Sequence, residues 1–357
     1  MLNRMARWVI MIALLAGCRQ LAGLDDPLPN DGGSGGGPYC YGTGLVQVCF
    51  DSEPSGDLVI TGATIDTNGA LGCATDVTSG TLGPCYVAAS TISVPSGQTT
   101  LASGNLALVL VATDTITISG TLDAAGHHQG SSSPAGGTFA SCQAGTSPAS
   151  GTYGGGGQGG SFVAKGGDGG DGGGASGGGA GAALPTPTAL HGGCTGHSGG
   201  NQGGSGGRGG GALYLIANTS ITVDGRVDVS GAGGSSDGDN SGVGGGAEGS
   251  GGMIGLDAPT VNVTGAVCAI GGSGAAGATG SSSQAGNDAT GGVSACTPGT
   301  PGAGSGGAGS GGAGATNGMG MTGTMGNAGG GGGGGGSSGY VRIYGTRTGS
   351  GAIQPPP

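Results

Sequence analysis

Glycine supplies 100 of the 357 residues, and this excess limits the folds open to the chain more than any other feature. Each glycine inside an α-helix costs about 1 kcal/mol relative to alanine, and no helical hydrophobic period is present, so a helical bundle is excluded. The glycines keep no strict three-residue period and proline numbers only 16, which excludes a collagen triple helix. Hydrophobic residues still make up 34% of the chain. We therefore expect an all-β fold.

Short runs of alternating apolar and polar residues repeat along the chain, and three of them align on Gly120, Gly225 and Gly265. Apolar residues stand two and four positions before and after each glycine, which is the period-two pattern of a strand on either side of a bend. A further apolar residue stands twelve positions before each glycine. The aligned apolar residues are Leu108, Ile116, Ile118, Leu122 and Ala124; Leu213, Ile221, Val223, Val227 and Val229; and Met253, Val261, Val263, Val267 and Ala269.

This repeat predicts a short right-handed parallel β-helix over residues 105–345, in which stacked units bury their aliphatic rows together. Equivalent positions recur in one chain direction, and each bend is a single glycine instead of a hairpin turn. The run Tyr340–Tyr344 resembles the first strand of a last unit. The alternative is a β-sandwich with glycine-rich loops. Long insertions leave the units at one edge, and their composition is compatible with either flexible linkers or a packed side layer; they span 127–210, 232–251 and 272–338.

Two further segments flank the repeats. Residues 39–104 carry four cysteines and short β-branched runs, and we interpret them as an N-terminal β segment. Residues 346–357 end in three prolines, and we interpret them as a disordered tail. Within the repeats, we expect the outward residues of the second strand to stack in polar rows, with Thr117 beside Thr222. Threonine is common on solvent-facing strands because it is polar and β-branched.

Arg4 and Arg7 precede an apolar run over residues 8–16. This run is shorter than the roughly 20 residues needed to span a bilayer. The run ends in Leu15-Ala16-Gly17-Cys18, which resembles the lipobox of bacterial lipoproteins. The resemblance implies removal of residues 1–17 as a signal peptide, acylation of Cys18 and a flexible tether over 18–38. Arg19 stands where lipoproteins retained in the inner membrane often have aspartate. We therefore expect a cell-envelope protein held by a lipid anchor, more in the outer than the inner membrane.

Eight cysteines remain after Cys18, and an even number in an oxidising compartment indicates disulfides. Eight cysteines allow 105 pairings, so spacing alone does not determine the connectivity. Proximity along the sequence favours neighbouring pairs, each of which would close a loop that has few apolar residues. These pairs are Cys40–Cys49, Cys73–Cys85, Cys142–Cys194 and Cys268–Cys296.

The formal net charge is −11, and no basic stripe is present, so nucleic acid is excluded as a partner. We expect no cofactor; the alternative is calcium, on a loop whose oxygen spacing resembles an EF-hand loop but lacks flanking helices. Its candidate ligands are Asp237, Asp239, Ser241 and Glu248. A solvated loop without metal explains the same residues. A weaker candidate for copper or zinc is the evenly spaced set His191, Cys194 and His197, in which Cys194 competes as a disulfide partner.

The strand repeats, of which residues 116–126 are the clearest, resemble right-handed β-helix passengers of the filamentous-haemagglutinin and autotransporter adhesin type. The whole chain resembles glycine-rich exported lipoproteins of Gram-negative bacteria. These resemblances imply a structural or adhesive protein without catalytic turnover, whose partners are the membrane and polysaccharide or other cell-surface components. The alternatives are a carbohydrate-active β-helix enzyme, either a polysaccharide lyase or a hydrolase, and a calcium-binding surface module.

Overall fold

The protein is built from short strands, as the period-two pattern predicts. The computed structural model describes residues 39–62, 64–68, 73, 77–80, 83–128, 133–137, 142–184, 186–236, 242–279, 283–289 and 294–357. These residues contain eighteen strands and no helix, so the predicted all-β class is confirmed. Consequently none of them belongs to a helix long and apolar enough to cross a bilayer. In chain order the strands are β1 (Tyr39–Tyr41), β2 (Val48–Phe50), β3 (Asp57–Val59), β4 (Thr64–Asp66), β5 (Val77–Gly80), β6 (Cys85–Ala89), β7 (Thr91–Val94), β8 (Thr99–Ser103), β9 (Leu108–Ala112), β10 (Thr115–Ile118), β11 (Thr121–Asp123), β12 (Ala212–Ala217), β13 (Ser220–Val223), β14 (Arg226–Asp228), β15 (Met253–Val263), β16 (Ala266–Cys268), β17 (Tyr340–Thr348) and β18 (Ala352–Gln354).

All strands except β1, β2 and β5 pair in parallel and form three faces, which the chain visits in a fixed order. The covered face contains β6, β9, β12 and the first halves of β15 and β17. The open face contains β3, β7, β10, β13 and the second halves of β15 and β17. The third face contains β4, β8, β11, β14, β16 and β18. This parallel pairing differs from the antiparallel pairing that a hairpin-connected sandwich would have.

The alignment on the three glycines matches the observed strand register. Ile116 pairs with Ile221, and Ile221 pairs with Val261. The alignment of the apolar residues that stand twelve positions before the glycines is wrong in the third unit. Leu213 pairs with Ile254 and not with Met253. The reason is that β15 runs unbroken from the covered face to the open face and has one residue fewer at that corner than the preceding level. The predicted last strand is confirmed, since residues 340–344 pair with 253–257.

One core fills the space between the three faces. Leu110 on the covered face, Ile118 on the open face and Leu122 on the third face are fully buried in the same cluster. That cluster extends from Ile60 in the first level to Ile353 in the last. Burying an aliphatic side chain of this size contributes about 1.5–3 kcal/mol, so these stacked rows supply the main driving force for folding.

Two of the predicted segment boundaries are wrong. Within residues 39–104, β6, β7 and β8 pair in register with β9, β10 and β11 and form a complete level of the stack. Their repeat is hard to see in the sequence because the corner between β7 and β8 has four residues, 95–98. The equivalent corner between β10 and β11 in the next level has two. Residues 346–357 are not a disordered tail: they include the end of β17 and all of β18, and Ile353 pairs with Val267 over the end of the core.

The N-terminal residues cover the outer side of one face. Strands β1, β2 and β5 form a small antiparallel sheet, and Tyr41 and Phe50 belong to a second buried cluster with Val109 and Tyr214 of the covered face. The contact is fixed by Asp257, whose carboxylate accepts hydrogen bonds from the backbone N–H groups of residues 43 and 44 at 2.7 and 2.8 Å. The central strands of the covered face, β9 and β12, are therefore buried on both sides.

The described parts of the glycine-rich insertions form a packed side layer, so this alternative is the correct one for them. Each insertion leaves after a strand of the third face and returns at a strand of the covered face, which places all three at one corner. The segment 154–160 hydrogen-bonds to several neighbouring segments through its backbone, of which two show a regular pattern. The N–H groups of Gly154, Gly157 and Gly160 donate to the carbonyls of Gly242, Gly245 and Glu248, and their carbonyls accept from Gly331, Gly334 and Ser337.

The three-residue spacing of these bonds is the period of polyproline II helices, which make no internal hydrogen bonds. Glycine is required in the layer because neighbouring backbones lie where a side chain would be. A Cβ at Gly156 would overlap the carbonyl of Gly332, and one at Gly167 would overlap the carbonyl of Met321. The high glycine content therefore reflects close backbone packing in this part of the molecule.

Candidate functional site

Two columns of outward side chains run along the open face, and they are the most regular surface in the described structure. In β10, Thr115 and Thr117 point away from the core because the alternate residues, Ile116 and Ile118, are fully buried. The same alternation holds in β7, β13 and the second half of β15. The end of β17 continues the register, although its residues 345–348 are all exposed. In β3, at the edge of the face, the two columns hold Asp57 and Val59. From β7 to β17 the first column contains Thr91, Thr115, Ser220, Thr260 and Thr346, and the second contains Ser93, Thr117, Thr222, Asn262 and Thr348.

We refer to these ten residues as the hydroxyl array, since nine of them carry a hydroxyl group. Parallel pairing without register shifts along β7, β10, β13 and β15 sets a spacing of about 4.8 Å between neighbours in a column. The two columns are two residues apart along each strand, which corresponds to about 6.6 Å. The array thus has a regular repeat along each column and one fixed spacing between the two columns.

Most hydroxyls of the array have no hydrogen-bond partner among the described residues. Thr91 Oγ1 donates to Asp57 Oδ1 at 2.8 Å, and Thr348 Oγ1 donates to Asn262 Oδ1 at 3.3 Å. The other seven hydroxyls make no such bond to the described protein atoms, although their residues are partly or fully exposed. They are therefore available to water or to a ligand.

The third face shows that this regularity is not a general property of the stack. Its equivalent outward positions hold only two hydroxyl residues, Thr99 and Thr121, in the five levels from β8 to β18. The other eight positions carry mixed chemistry, with charged, apolar and disulfide-bonded side chains: Leu101, Asp123, Arg226, Asp228, Ala266, Cys268, Ala352 and Gln354. The hydroxyl array is specific to the open face.

All four disulfide pairs favoured by sequence proximity are present: Cys40–Cys49, Cys73–Cys85, Cys142–Cys194 and Cys268–Cys296. The first ties β1 to β2, and the second fixes a loop to the start of β6. The other two join parts of the insertions to the side layer and to the end of β16. Sequence reasoning therefore predicted these contacts although the spacing alone left the connectivity open.

The proposed lipidation site and most of the proposed calcium site lie outside the described residues. This applies to Cys18 and to the signal peptide and tether predicted around it, and to Asp237, Asp239 and Ser241. The last calcium candidate, Glu248, is fully buried in the side layer. Within the described ranges, no group of three or more His, Cys, Asp or Glu side chains is arranged to hold a metal ion.

Glu248 is the most unusual titratable group of the side layer. Neither carboxyl oxygen makes a hydrogen bond of standard geometry. The side chain lies against Gly335 and Gly336, where an added Cβ would come within 2.7 Å of Oε1 and 3.1 Å of Cγ. Burial raises the pKa of Glu248 well above its ordinary value of 4.5, and the nearby backbone N–H of Gly336 offsets only part of that shift. The protonated form is therefore favoured.

The residues considered for copper or zinc are used in other contacts. Cys194 is bonded to Cys142. His191 packs edge-on against Phe162, with ring centroids 5.1 Å apart, and burial lowers its pKa. A different histidine, His127, has its Nε2 atom 3.2 Å from Asp123 Oδ2, and this hydrogen bond raises the pKa of His127.

The main charged groups near cavities and in the third face have structural roles. A cavity of about 400 Å³ is lined partly by Asp257, but its carboxylate also accepts hydrogen bonds from Thr43 Oγ1 at 2.7 Å and Tyr214 at 3.3 Å. In the third face, Arg226 Nη2 lies 2.6 Å from Asp228 Oδ2 in a buried ion pair. Sequence reasoning missed the Asp257 contacts because nothing local in the sequence relates residue 43 to residue 257. It also missed the ion pair, because a short outward-facing strand does not indicate that Arg226 and Asp228 are buried.

Comparisons with known proteins do not add a relative to these observations. No protein-family model, no curated protein and no solved structure matches the chain. The geometry of the chain itself is therefore the basis for any functional conclusion.

Proposed function

We propose that this chain is a lipid-anchored protein of the bacterial cell envelope, held in the outer membrane, that acts as a non-catalytic binding or adhesive scaffold. The observation that carries the proposal is the hydroxyl array, an ordered and largely unpaired polar surface on a rigid stack of parallel strands. A surface of this kind is suited to binding an extended partner, such as polysaccharide or another cell-surface component.

The scaffold in this proposal is a short right-handed parallel β-helix with a glycine-rich side layer. Three observations support it: successive levels pair in parallel, they present the same three faces in the same order, and their aliphatic rows share one core. Right-handed crossovers between parallel strands are strongly preferred because of the strand twist, which supports the handedness. Such a stack keeps its outward residues at fixed spacings.

Export to the envelope is supported by the four disulfides, since disulfides persist in oxidising compartments and are rare in the cytosol. The anchor itself rests on the lipobox-like run that ends at Cys18. A lipoprotein cysteine carries more than one acyl chain, which is enough for stable membrane attachment. The open face would then be displayed from the membrane through the segment that precedes β1.

A binding role is favoured over turnover by the way the described charged groups are used. Asp257 fixes the N-terminal segment, and Arg226 and Asp228 neutralise each other inside the third face. The hydroxyl array contains neither an acid nor a base that could move a proton during hydrolysis or elimination of a sugar chain. Its chemistry is that of hydrogen bonding and methyl contact.

The proposal is tested by labelling cells that express the full chain with palmitate and by separating their membranes. We expect the wild-type protein to carry label and to sediment with outer membranes, whereas Cys18→Ala loses both properties. Absence of the label from the wild-type protein, or sedimentation of Cys18→Ala with the outer membranes, would overturn the anchor. Release of unsaturated or reducing sugars from polyuronides by the purified wild-type chain would overturn the non-catalytic role in favour of a carbohydrate-active enzyme.

A further inference from the structure

The hydroxyl array has a geometry that restricts its partner more narrowly than adhesion in general. Its residues are spaced at about 4.8 Å along each column, and the two columns are about 6.6 Å apart. A partner that contacts both columns must present groups at both spacings, as a crystalline surface does.

The chemistry of the array also restricts the partner. The protein carries a net charge of −11, yet none of the ten array residues is charged. None is aromatic, so the array has no ring that could stack on the flat face of a sugar. What the array offers is alternating hydroxyl and methyl groups from threonine. These groups suit a neutral lattice of hydrogen-bonded water.

The array is also preorganised. Threonine is β-branched and has few accessible χ1 rotamers, so its hydroxyl and methyl positions are restricted before any ligand binds. The strands below are fixed by fully buried residues such as Ile116, Ile221 and Val261. Little side-chain entropy is lost on binding to a matching surface, which is the main gain from a rigid scaffold. Water molecules held by neighbouring unpaired hydroxyls would already have regular spacings.

We propose that the open face binds ice, with the hydroxyl array as the contact surface. This inference rests on the proposed role as a surface-binding scaffold and names the ligand of that face. On a lipid-anchored protein, the activity would attach the cell to ice or restrain the growth of ice crystals at the envelope. The contacts are hydrogen bonds and methyl packing, and no covalent step is involved.

The test uses the purified full chain, and the detergent solution alone serves as the blank. A slowly growing ice hemisphere is formed in the solution, and the protein in the ice fraction is compared with that in the liquid. Ice recrystallisation is followed in parallel by microscopy. We expect enrichment of the wild-type chain in ice and smaller ice grains than in the blank.

The decisive variants place a bulky side chain in the array. Thr260→Tyr and Thr117→Tyr occupy different columns and levels, and each should reduce the enrichment in ice about tenfold, which corresponds to about 1.4 kcal/mol. Thr99→Tyr is the matched control, because Thr99 is exposed on a parallel strand of the third face; it should leave the enrichment unchanged. Thermal unfolding of each variant identifies any loss of folding, and two test sites keep the comparison valid if one variant is unstable.

Three results would overturn the inference: exclusion of the wild-type chain from ice, equal effects of the array and control substitutions, or retention on crystalline cellulose or chitin without enrichment in ice. The last result would leave the proposed scaffold role in place with a different ligand. Failure of the membrane anchor is detected separately by palmitate labelling, since the ice assay uses purified protein.

Discussion

Replacing Glu248 with glutamine should stabilise the protein at neutral pH, although the residue is fully buried. The carboxyl lies in the side layer without a hydrogen bond of standard geometry, and burial raises its pKa well above 4.5. In the unfolded chain the group has its ordinary pKa. Folding at neutral pH therefore requires the side chain either to take up a proton or to remain charged at a site removed from water.

The sign and size of the effect follow from this difference in pKa. Below about pH 4.5 the group is protonated in both states, and the wild-type protein has its full stability. As the pH rises above that value, stability is lost at about 1.4 kcal/mol per pH unit until the folded-state pKa is reached. Glutamine has nearly the same shape and no charge, so Glu248→Gln removes this slope.

Denaturant unfolding with intact disulfides, repeated from about pH 4 to about pH 8, measures the free energy of unfolding for both proteins. We expect the difference between Glu248→Gln and wild type to grow with pH above 4.5. Glu53, the second of only two glutamates in the chain, is exposed, so Glu53→Gln is the matched control and should show no such slope. A difference that stays constant over this range would refute the assignment of a protonated, unpartnered Glu248.

Three further predictions concern the side layer, a disulfide and the buried ion pair. Gly156→Ala should lower the free energy of unfolding by about 1–3 kcal/mol, because its Cβ would overlap a backbone carbonyl. Gly151→Ala, where the nearest atom is a side-chain carbon at 3.3 Å, should change it by less than about 0.5 kcal/mol, and equal effects would contradict the packing argument. Replacing both Cys142 and Cys194 with serine should lower the free energy of unfolding by about 4 kcal/mol, since this disulfide spans 52 residues. An unchanged denaturation midpoint would argue against that contribution. Arg226→Met should lower the free energy of unfolding by about 3–5 kcal/mol, because it leaves the buried carboxylate of Asp228 without its ion-pair partner. An additional apolar substitution at Asp228 should recover most of the loss, and thermal or denaturant unfolding measures both effects.

The sequence predicted those parts of the fold that depend on local pattern. The rows that include Ile116, Ile221 and Val261 were visible because a strand has a two-residue period and a parallel stack repeats it at fixed offsets. Each disulfide joins two cysteines that follow one another along the chain, so proximity along the sequence was enough to predict the pairs. The level containing β6, β7 and β8 was missed because a longer corner interrupts the pattern.

The remaining features depend on contacts between distant segments. Composition could not decide whether the glycine-rich insertions are ordered, because the same glycines are compatible with a flexible linker and with a close-packed backbone. Glu248 was placed on a candidate surface loop, yet it is buried because residues 335 and 336, almost ninety positions later, lack side chains and leave room for it. The sequence predicted the hydroxyl array as polar rows. It could not predict that most of these hydroxyls lack a hydrogen-bond partner, because that depends on the positions of the surrounding residues.

The wide sequence separation within the side layer also affects when the protein can fold. Segment 154–160 is bonded on one side to residues 331–337, so its backbone groups gain those partners only when nearly the whole chain is present. Contacts between such distant residues form slowly because the intervening loop must be closed first. A side layer that needs both early and late segments is therefore incomplete until the end of the chain is available. Under the proposed export to the envelope, the layer would be completed only in the compartment in which the disulfides form.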